Sequence, residues 1–292
     1  MKFATGIAIK AVVLALTPVV EAFTVPLPSI PELPSIGFVA SPPTDSVGAA
    51  LTTLQVLIAL GRPVGEIQEP LKYSKFSDKD ILRQPTAIDA RTGFFIDYGP
   101  AFAIALGYYF TSPGQDSLVP SLLALHFGKR LLECAFLHDY SGSKATSLDV
   151  PLKISSYYSL ITLLIGANAL PTSETVASIH TAGLALFAIG QAGNFYHHYL
   201  LQQLRSQREP DQDYLPPQGG LFGLVATPHY LFEIMSWTGV ALVAQQFNAF
   251  IEIPSVLGYF AVRAWRTNEL YKESFSAEQW PASRKNLLPF LF

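Results

Sequence analysis

The segment GNFYHHYLLQQLR, Gly193 to Arg205, sets Asn194 and His198 four residues apart inside an apolar run, and its reading decides the fold. Similar intrusions follow along the chain. DYLPPQGGLFGLV spans Asp213 to Val225, TPHYLFEIMSW spans Thr227 to Trp237, and VRAWRTNELYKESF spans Val262 to Phe275. RKNLLPFLF, Arg284 to Phe292, closes the chain. Amide, imidazole, carboxylate and guanidinium groups here sit in or beside segments apolar enough for a membrane. Polar groups at that depth are expensive, so by default they mark a site.

The bulk composition agrees with a membrane reading. Of 292 residues, 50% are apolar and only 14% are charged, against about 25% in a soluble globule. The 20 Phe, the 13 Tyr and a mean hydropathy of +0.30 point the same way. A net charge of −3 gives no electrostatic reason to expect nucleic acid as a partner. The single cysteine, Cys134, excludes an intrachain disulfide and any cysteine-based metal cluster, and no metal is expected.

Residues 1–22 read as a targeting presequence. Lys2 and Lys10 flank an apolar run, Ile7 to Val20, that ends near Glu21-Ala22. A retained signal anchor is the alternative. Ala22-Phe23 followed by Pro26 also resembles the start of a bipartite plastid presequence. Residues 23–46 are rich in Pro and Ser and read as a linker. Residues 47–292 form the remaining domain, with no internal repeat and no soluble module.

A span needs about 20 apolar residues. The expected fold class is all-α, a polytopic membrane bundle of about seven transmembrane helices. The segments are Val47–Leu60, Gly93–Phe110, Leu118–Leu137, Ile154–Leu170, Val176–Leu201, Tyr230–Phe247 and Ala249–Val262. The first is short, and an interfacial position is its alternative. The third carries Lys129, Arg130 and Glu133, so one of its faces must avoid lipid. The loop 202–220 and the tail after Ala261 are basic. By the positive-inside tendency both lie on one side of the membrane, joined by the hairpin of the last two spans.

No GxGxxG follows a strand and no GxxxxGK[ST] occurs, so a dinucleotide would not be held in a Rossmann crevice. Arg205, Arg263 and Arg266 are suited to phosphates, since guanidinium bonds phosphate oxygens in pairs. Tyr214, Tyr230 and Tyr271 are placed to flank rings, and Asn194, His198 and Glu233 to bond an amide or ribose.

The last third resembles the steroid 5-alpha-reductase family, which includes trans-2-enoyl-CoA reductases and polyprenol reductases. The matching elements are Asn194 with Leu204-Arg205, Tyr214 with Pro217-Gln218-Gly219-Gly220-Leu221-Phe222, Glu233 with Trp237 and Gly239, Arg263-Ala264, Tyr271 with Phe275, and the Arg284-Lys285 and Pro289-Phe290 ending. His126-Phe127-Gly128-Lys129-Arg130, Leu132-Glu133, Phe136-Leu137-His138 and Gln191 to Phe195 with His198 resemble the enoyl-CoA reductase branch. The resemblance covers about Phe94 to Phe292, most strongly 137–292. It implies an integral membrane enzyme of lipid metabolism, by family default in the endoplasmic reticulum, with a plastid membrane as the alternative. It further implies NADPH as cofactor and, as substrate, a lipid from the bilayer (enoyl-CoA, steroid or polyprenal) whose C=C bond is conjugated to a carbonyl. The family's cofactor residues fall on Asn194, Arg205, Tyr214, Glu233, Arg263 and Tyr271, with His198 adjoining. His229 stands where many members have Asn, and Asn268 or Thr267 where a His is usual.

The catalytic half departs from the family pattern. Phe127 occupies the position of a Tyr whose hydroxyl polarises the substrate carbonyl, and Asp97 that of a supporting Glu. Three readings stay open: Tyr98 or His126 supplies the donor, the alignment slips here, or the enzyme is altered. Two other functions remain as alternatives. One is a membrane methyltransferase using S-adenosylmethionine, since those chains share a Pro-x-Tyr…Glu element, here Pro228-His229-Tyr230…Glu233. The other is a non-catalytic relative.

Overall fold

The computed structural model describes residues 42–73, 76, 80–111, 117–138, 140, 145–167, 177–207 and 215–292. Seven α-helices dominate them: α1 Ser46–Gln68, α2 Ala90–Thr111, α3 Leu118–Leu132, α4 Asp149–Ala167, α5 Ala177–Ser206, α6 Pro228–Ala244 and α7 Phe247–Ser274. A two-stranded antiparallel sheet, β1 Ala87–Asp89 with β2 Ala145–Ser147, ties the start of α2 to the start of α4. The all-α expectation holds, and as far as they are described each of the seven apolar segments lies mainly on one helix, with Tyr230–Phe247 reaching the first residue of α7. Two helices, α1 and α4, are long and apolar enough to cross a membrane. Val47–Leu60 proves to be only the first part of α1, which runs on through Pro63. The presequence and nearly all of the linker lie outside the described residues.

α1 begins where the Asp45 carboxylate accepts from Gly48 N at 2.8 Å, filling one of the unsatisfied donors of a helix start. It is inverted relative to a soluble amphipathic helix. Leu57, Leu60, Val64 and Ile67 face outward, whereas Thr52, Gln55 and Glu66 are buried. The polar positions 52, 55, 62 and 66 follow helical spacing and lie on one stripe. α7 presents a matching stripe of Asn248, Glu252, Ser255, Tyr259, Arg263 and Arg266. The two stripes close on each other. Asn248 Nδ2 donates to Thr52 Oγ1 at 2.8 Å and Gln55 Oε1 at 2.9 Å, and Gln55 Nε2 donates to Asn248 O at 2.9 Å. In an apolar surround such interhelical bonds are worth about 0.6–2 kcal/mol each. Together they fix the register of two helices nearly two hundred residues apart in the chain.

α5 and α6 pack by a different rule. A methyl on Gly239 of α6 would lie 2.6 Å from Phe187 N, and one on Gly190 of α5 would lie 2.6 Å from Ser236 N. Missing side chains let the two backbones approach, as in membrane helix pairs. α3 ends in a π-helical turn, Glu133–Leu137, closed by His138 N to Glu133 O at 2.8 Å. Such turns re-aim side chains and often occur at functional sites.

After α7 the chain folds back. Lys285 pairs with Val225 in a parallel bridge, and Ala226 N donates to Lys285 O at 2.8 Å. The tail therefore lies against the segment that leads into α6.

Candidate active site

All seven helices wall one cavity of about 430 Å³, a size usual for small-ligand pockets. Asp97 and Tyr98 reach it from α2, Arg130 from α3, Asn194, His198 and Arg205 from α5, His229 and Glu233 from α6, and Arg263 and Tyr271 from α7. Groups spread over 175 positions of sequence thus share one hollow. Tyr214 lies outside the described residues. His126 and Asn268 are buried but do not line the cavity.

Each polar group has a defined station. Asn194 bridges three helices. Its Nδ2 donates to His229 O at 2.9 Å, and its Oδ1 accepts from Lys129 Nζ. Lys129 and Arg130 both pair with Glu133, Lys129 at 3.1 Å. Arg130 Nη2 also donates to the Tyr98 hydroxyl at 3.2 Å. Glu233 lies with Oε1 3.3 Å from His126 Nε2, while among the described residues its buried Oε2 has no hydrogen-bond partner. His126 Nδ1 is 3.0 Å from the Gln191 side-chain amide, so the imidazole is held between that amide and Glu233. His126 thus stands behind Glu233 and orients it.

His138, His198 and His229 form a ladder along the wall, with ring centroids 5.2 and 5.1 Å apart. Burial, and then the charges of Arg130, Arg205 and Lys129, hold His138 well below the usual imidazole range. Glu133, His138 and His198 bring ligand-type atoms within 4.8 Å of one another. With Lys129 and Arg130 already on that carboxylate, a divalent cation there would meet positive surroundings.

Arg263 is nearly inaccessible; its Nη1 donates to Glu66 Oε1 at 2.6 Å and Leu71 O at 3.2 Å and its Nη2 to Tyr73 O at 3.4 Å, while among the described residues its Nε has no partner. Arg266 donates to the last carbonyls of α1, Glu66 O at 3.1 Å and Ile67 O at 2.5 Å. Both guanidiniums dock α1 onto α7. Asn268 accepts from Trp280 Nε1 at 2.8 Å and donates to Asn286 Oδ1 at 2.8 Å, so its amide anchors the tail. Phe127 is wholly buried, packed on Tyr158 at 5.4 Å and Trp237 at 6.1 Å, and does not reach the cavity.

The loop before α6 is shaped by its two glycines. Gly219 and Gly220 have φ of 81° and 51°, and a methyl on Gly220 would lie 2.6 Å from His197 Nε2. That nitrogen accepts from Leu221 N at 3.1 Å, and His197 Nδ1 donates to Gly193 O at 2.7 Å. The loop is therefore pinned to α5 one turn from Asn194.

Several wall residues were not singled out from the sequence as site residues: Arg62, Glu66, Tyr73, Tyr158 and Tyr259. For Arg62 and Glu66 the signal was present, since charges at helical spacing in an otherwise apolar helix obey the same rule that singled out Asn194. Tyr73, Tyr158 and Tyr259 carry no such mark.

The fold and cavity define a helical-bundle protein that gathers one polar site from every helix, without a nucleotide-binding sheet. Residues 154–292 match the family described as 3-oxo-5-alpha-steroid 4-dehydrogenase. Human 3-oxo-5-alpha-steroid 4-dehydrogenase 2 is 28% identical over 246 residues, covering 81% of this chain and 94% of the relative. The very-long-chain enoyl-CoA reductase of Dictyostelium discoideum is 26% identical over 293 residues, covering 88% of this chain and 95% of the relative. The last part of the chain is thus similar to that family, and these relatives are oxidoreductases by name.

Proposed function

We propose that this chain is a membrane-embedded, NADPH-dependent reductase of a C=C bond conjugated to a carbonyl in a lipid substrate, resident in the endoplasmic reticulum membrane. The observation that carries the reading is the Tyr98 hydroxyl. It lines the cavity and accepts from Arg130 at 3.2 Å. A phenol that accepts from a guanidinium keeps its own proton to donate, and no described residue takes that proton. Pointed at a carbonyl oxygen, it stabilises the negative charge that builds there as the double bond is reduced. Similarity to these oxidoreductases supports the reaction class, and the outward apolar face of α1 and the composition of α4 support the membrane setting.

The residues present fit the cofactor. The orphaned Glu233 Oε2 is a buried acceptor suited to a carboxamide N–H. Arg130, Arg205 and the histidine ladder give a cationic and hydrogen-bonding wall suited to phosphates. A reduced nicotinamide held there would supply hydride chemistry to the substrate. The protein's own part is to hold Glu233 through His126, hold Asn194 through Lys129, and present the Tyr98 proton.

The test is an assay of the purified chain in detergent with NADPH and two acceptors, an enone steroid and a trans-2-enoyl thioester. NADPH oxidation with formation of the saturated product is expected for one acceptor or both. No turnover with either, with S-adenosylmethionine binding instead, would replace the proposal by the methyltransferase reading.

A further inference from the structure

His197 is buried but does not line the cavity, although Asn194 and His198 on the same turns of α5 both do. Consecutive helical side chains point about 100° apart, so α5 serves two surroundings here. His198 faces the cavity and His197 the loop before α6. Both ring nitrogens of His197 meet backbone. Nδ1 is 2.7 Å from Gly193 O, which can only accept, and Nε2 is 3.1 Å from Leu221 N, which can only donate. These partners fix the proton on Nδ1 and leave Nε2 an acceptor. The ring stacks on Phe232 of α6 with centroids 5.2 Å apart, and meets Phe222 of the loop at 5.5 Å and Tyr196 of its own helix at 5.2 Å. None of these groups carries a charge beside the imidazole.

The loop's own bonds, Phe222 N to Gly219 O at 3.1 Å and Leu224 N to Leu221 O at 2.9 Å, hold the turn Gly220–Gly223 together. The bond from Leu221 N to His197 holds that turn to α5. The loop reaches the cavity at two points. Pro217 lines it, with its carbonyl 3.5 Å from Arg284 Nη1 of the tail. Phe222 backs the wall residue His229, ring to ring at 6.2 Å, and the His229 carbonyl is the acceptor for Asn194. A second proton on His197 would place an N–H on Nε2, facing the Leu221 N–H across 3.1 Å. The bond would be lost and two donors would oppose each other.

We infer that His197 is a positioning residue that acts as a proton-sensitive latch: unprotonated, it holds the 215–224 loop on α5 and so sets the cofactor wall at Asn194 and His229, and protonated, it releases the loop. The latch stands on the hydrogen-bond geometry alone, whereas its bearing on the cofactor rests on the reductase reading. The sign of the pH response follows from linkage. Closure needs the neutral ring, so it is complete above the ordinary imidazole value of about 6.5 and falls by up to about tenfold per pH unit below it.

The experiment uses the full chain in detergent. Hydrogen exchange of the Leu221 amide, corrected for the intrinsic rate at each pH, reads the latch, and a fluorescence titration with NADPH reads binding apart from turnover. Wild type is expected to lose protection at Leu221 as pH falls from 7.5 to 5.5, while amides within α5 keep theirs. His197→Gln keeps an acceptor near the place of Nε2 and cannot titrate, so its protection stays and is flat with pH. His197→Phe keeps a ring on Phe232 but has no acceptor. At pH 7.5 its Leu221 amide exchanges about two- to tenfold faster, the net worth of one hydrogen bond, and its Kd for NADPH rises by a similar factor. The wild-type pH series and the Gln variant carry the test should the Phe variant not fold. Flat protection in wild type, or a wild-type slope in His197→Gln, would overturn the latch. A released loop with unchanged NADPH affinity in His197→Phe would overturn the positioning role. Should Leu221 behave as expected while wild type binds no NADPH, the reductase reading fails and the latch stands. NADPH binding with a pH-insensitive Leu221 is the reverse result.

Discussion

Arg263 Nη1 lies 2.6 Å from Glu66 Oε1, and both side chains are almost fully buried although 197 residues separate them. The pair fastens the end of α1 to the middle of α7 at the rim of the cavity. Breaking one partner leaves an uncompensated buried charge, at a cost of about 3–5 kcal/mol. Glu66→Ala and Arg263→Ala are each expected to lower the melting temperature of the detergent-solubilised protein sharply. The joint replacement Glu66→Leu with Arg263→Met is expected to recover much of the loss. A double variant as unstable as the singles would mean that the charges do more than fasten the helices.

Tyr98 and His126 stand in different relations to the cavity, one on its wall and one behind Glu233. Tyr98→Phe is expected to lower kcat by about 10²–10³, the usual cost of losing one donor to a developing oxyanion. His126→Ala, which frees Glu233, is expected to raise the KM for NADPH several-fold and change kcat much less. Steady-state kinetics with each variant separates the roles, and an equal loss of kcat in both would contradict the assignment.

Gly220→Ala tests the loop that leads into α6. Its left-handed backbone costs an alanine about 1–2 kcal/mol, and the added methyl would crowd His197 Nε2 at 2.6 Å. The expected result is faster limited proteolysis within 208–224 and weaker cofactor binding, with Gly223→Ala as a neutral control because a methyl there meets nothing within 4 Å.

The pH response of His138 has a definite sign. Its folded pKa lies below the unfolded value of 6.5, so the unfolded chain binds the proton more readily. Its contribution is therefore whole above about pH 6.5 and is lost as pH falls below that value, by at most about 1.4 kcal/mol per pH unit. Melting temperature is expected to drop between pH 7.5 and 5.5, and His138→Gln to remove part of that slope. A slope unaltered by the substitution would assign it to other groups.

Much of the fold was legible because apolar length and polar intrusion are local properties. As far as they are described, the seven apolar segments lie mainly on helices, and Asn194, His198, Arg205, His229, Glu233 and Tyr271 were marked by being polar where polarity is costly. Asp97 was placed by family position and Tyr98 was one of the donors left open, and both line the cavity. Arg263 and Arg266 read from sequence as phosphate hands, yet much of their hydrogen bonding goes to α1. His126 and Asn268 were expected at the site, but packing turned them to Glu233 and to the tail. A periodicity can say that a residue faces inward without saying which of several inward neighbours it meets.

The chain alone therefore determined a helical bundle, the helices that compose it and the kinship of its last half, since each follows from spacing and composition along a single stretch. Only the tertiary structure decided that the polar stripes of α1 and α7 close on each other, that Arg130 reaches Tyr98, and that Arg62 opens onto the cavity. Those outcomes depend on geometry between segments up to 200 residues apart, which no local pattern encodes. In an apolar surround a buried polar group must find a partner, and the bundle settles into the arrangement that supplies the most of them.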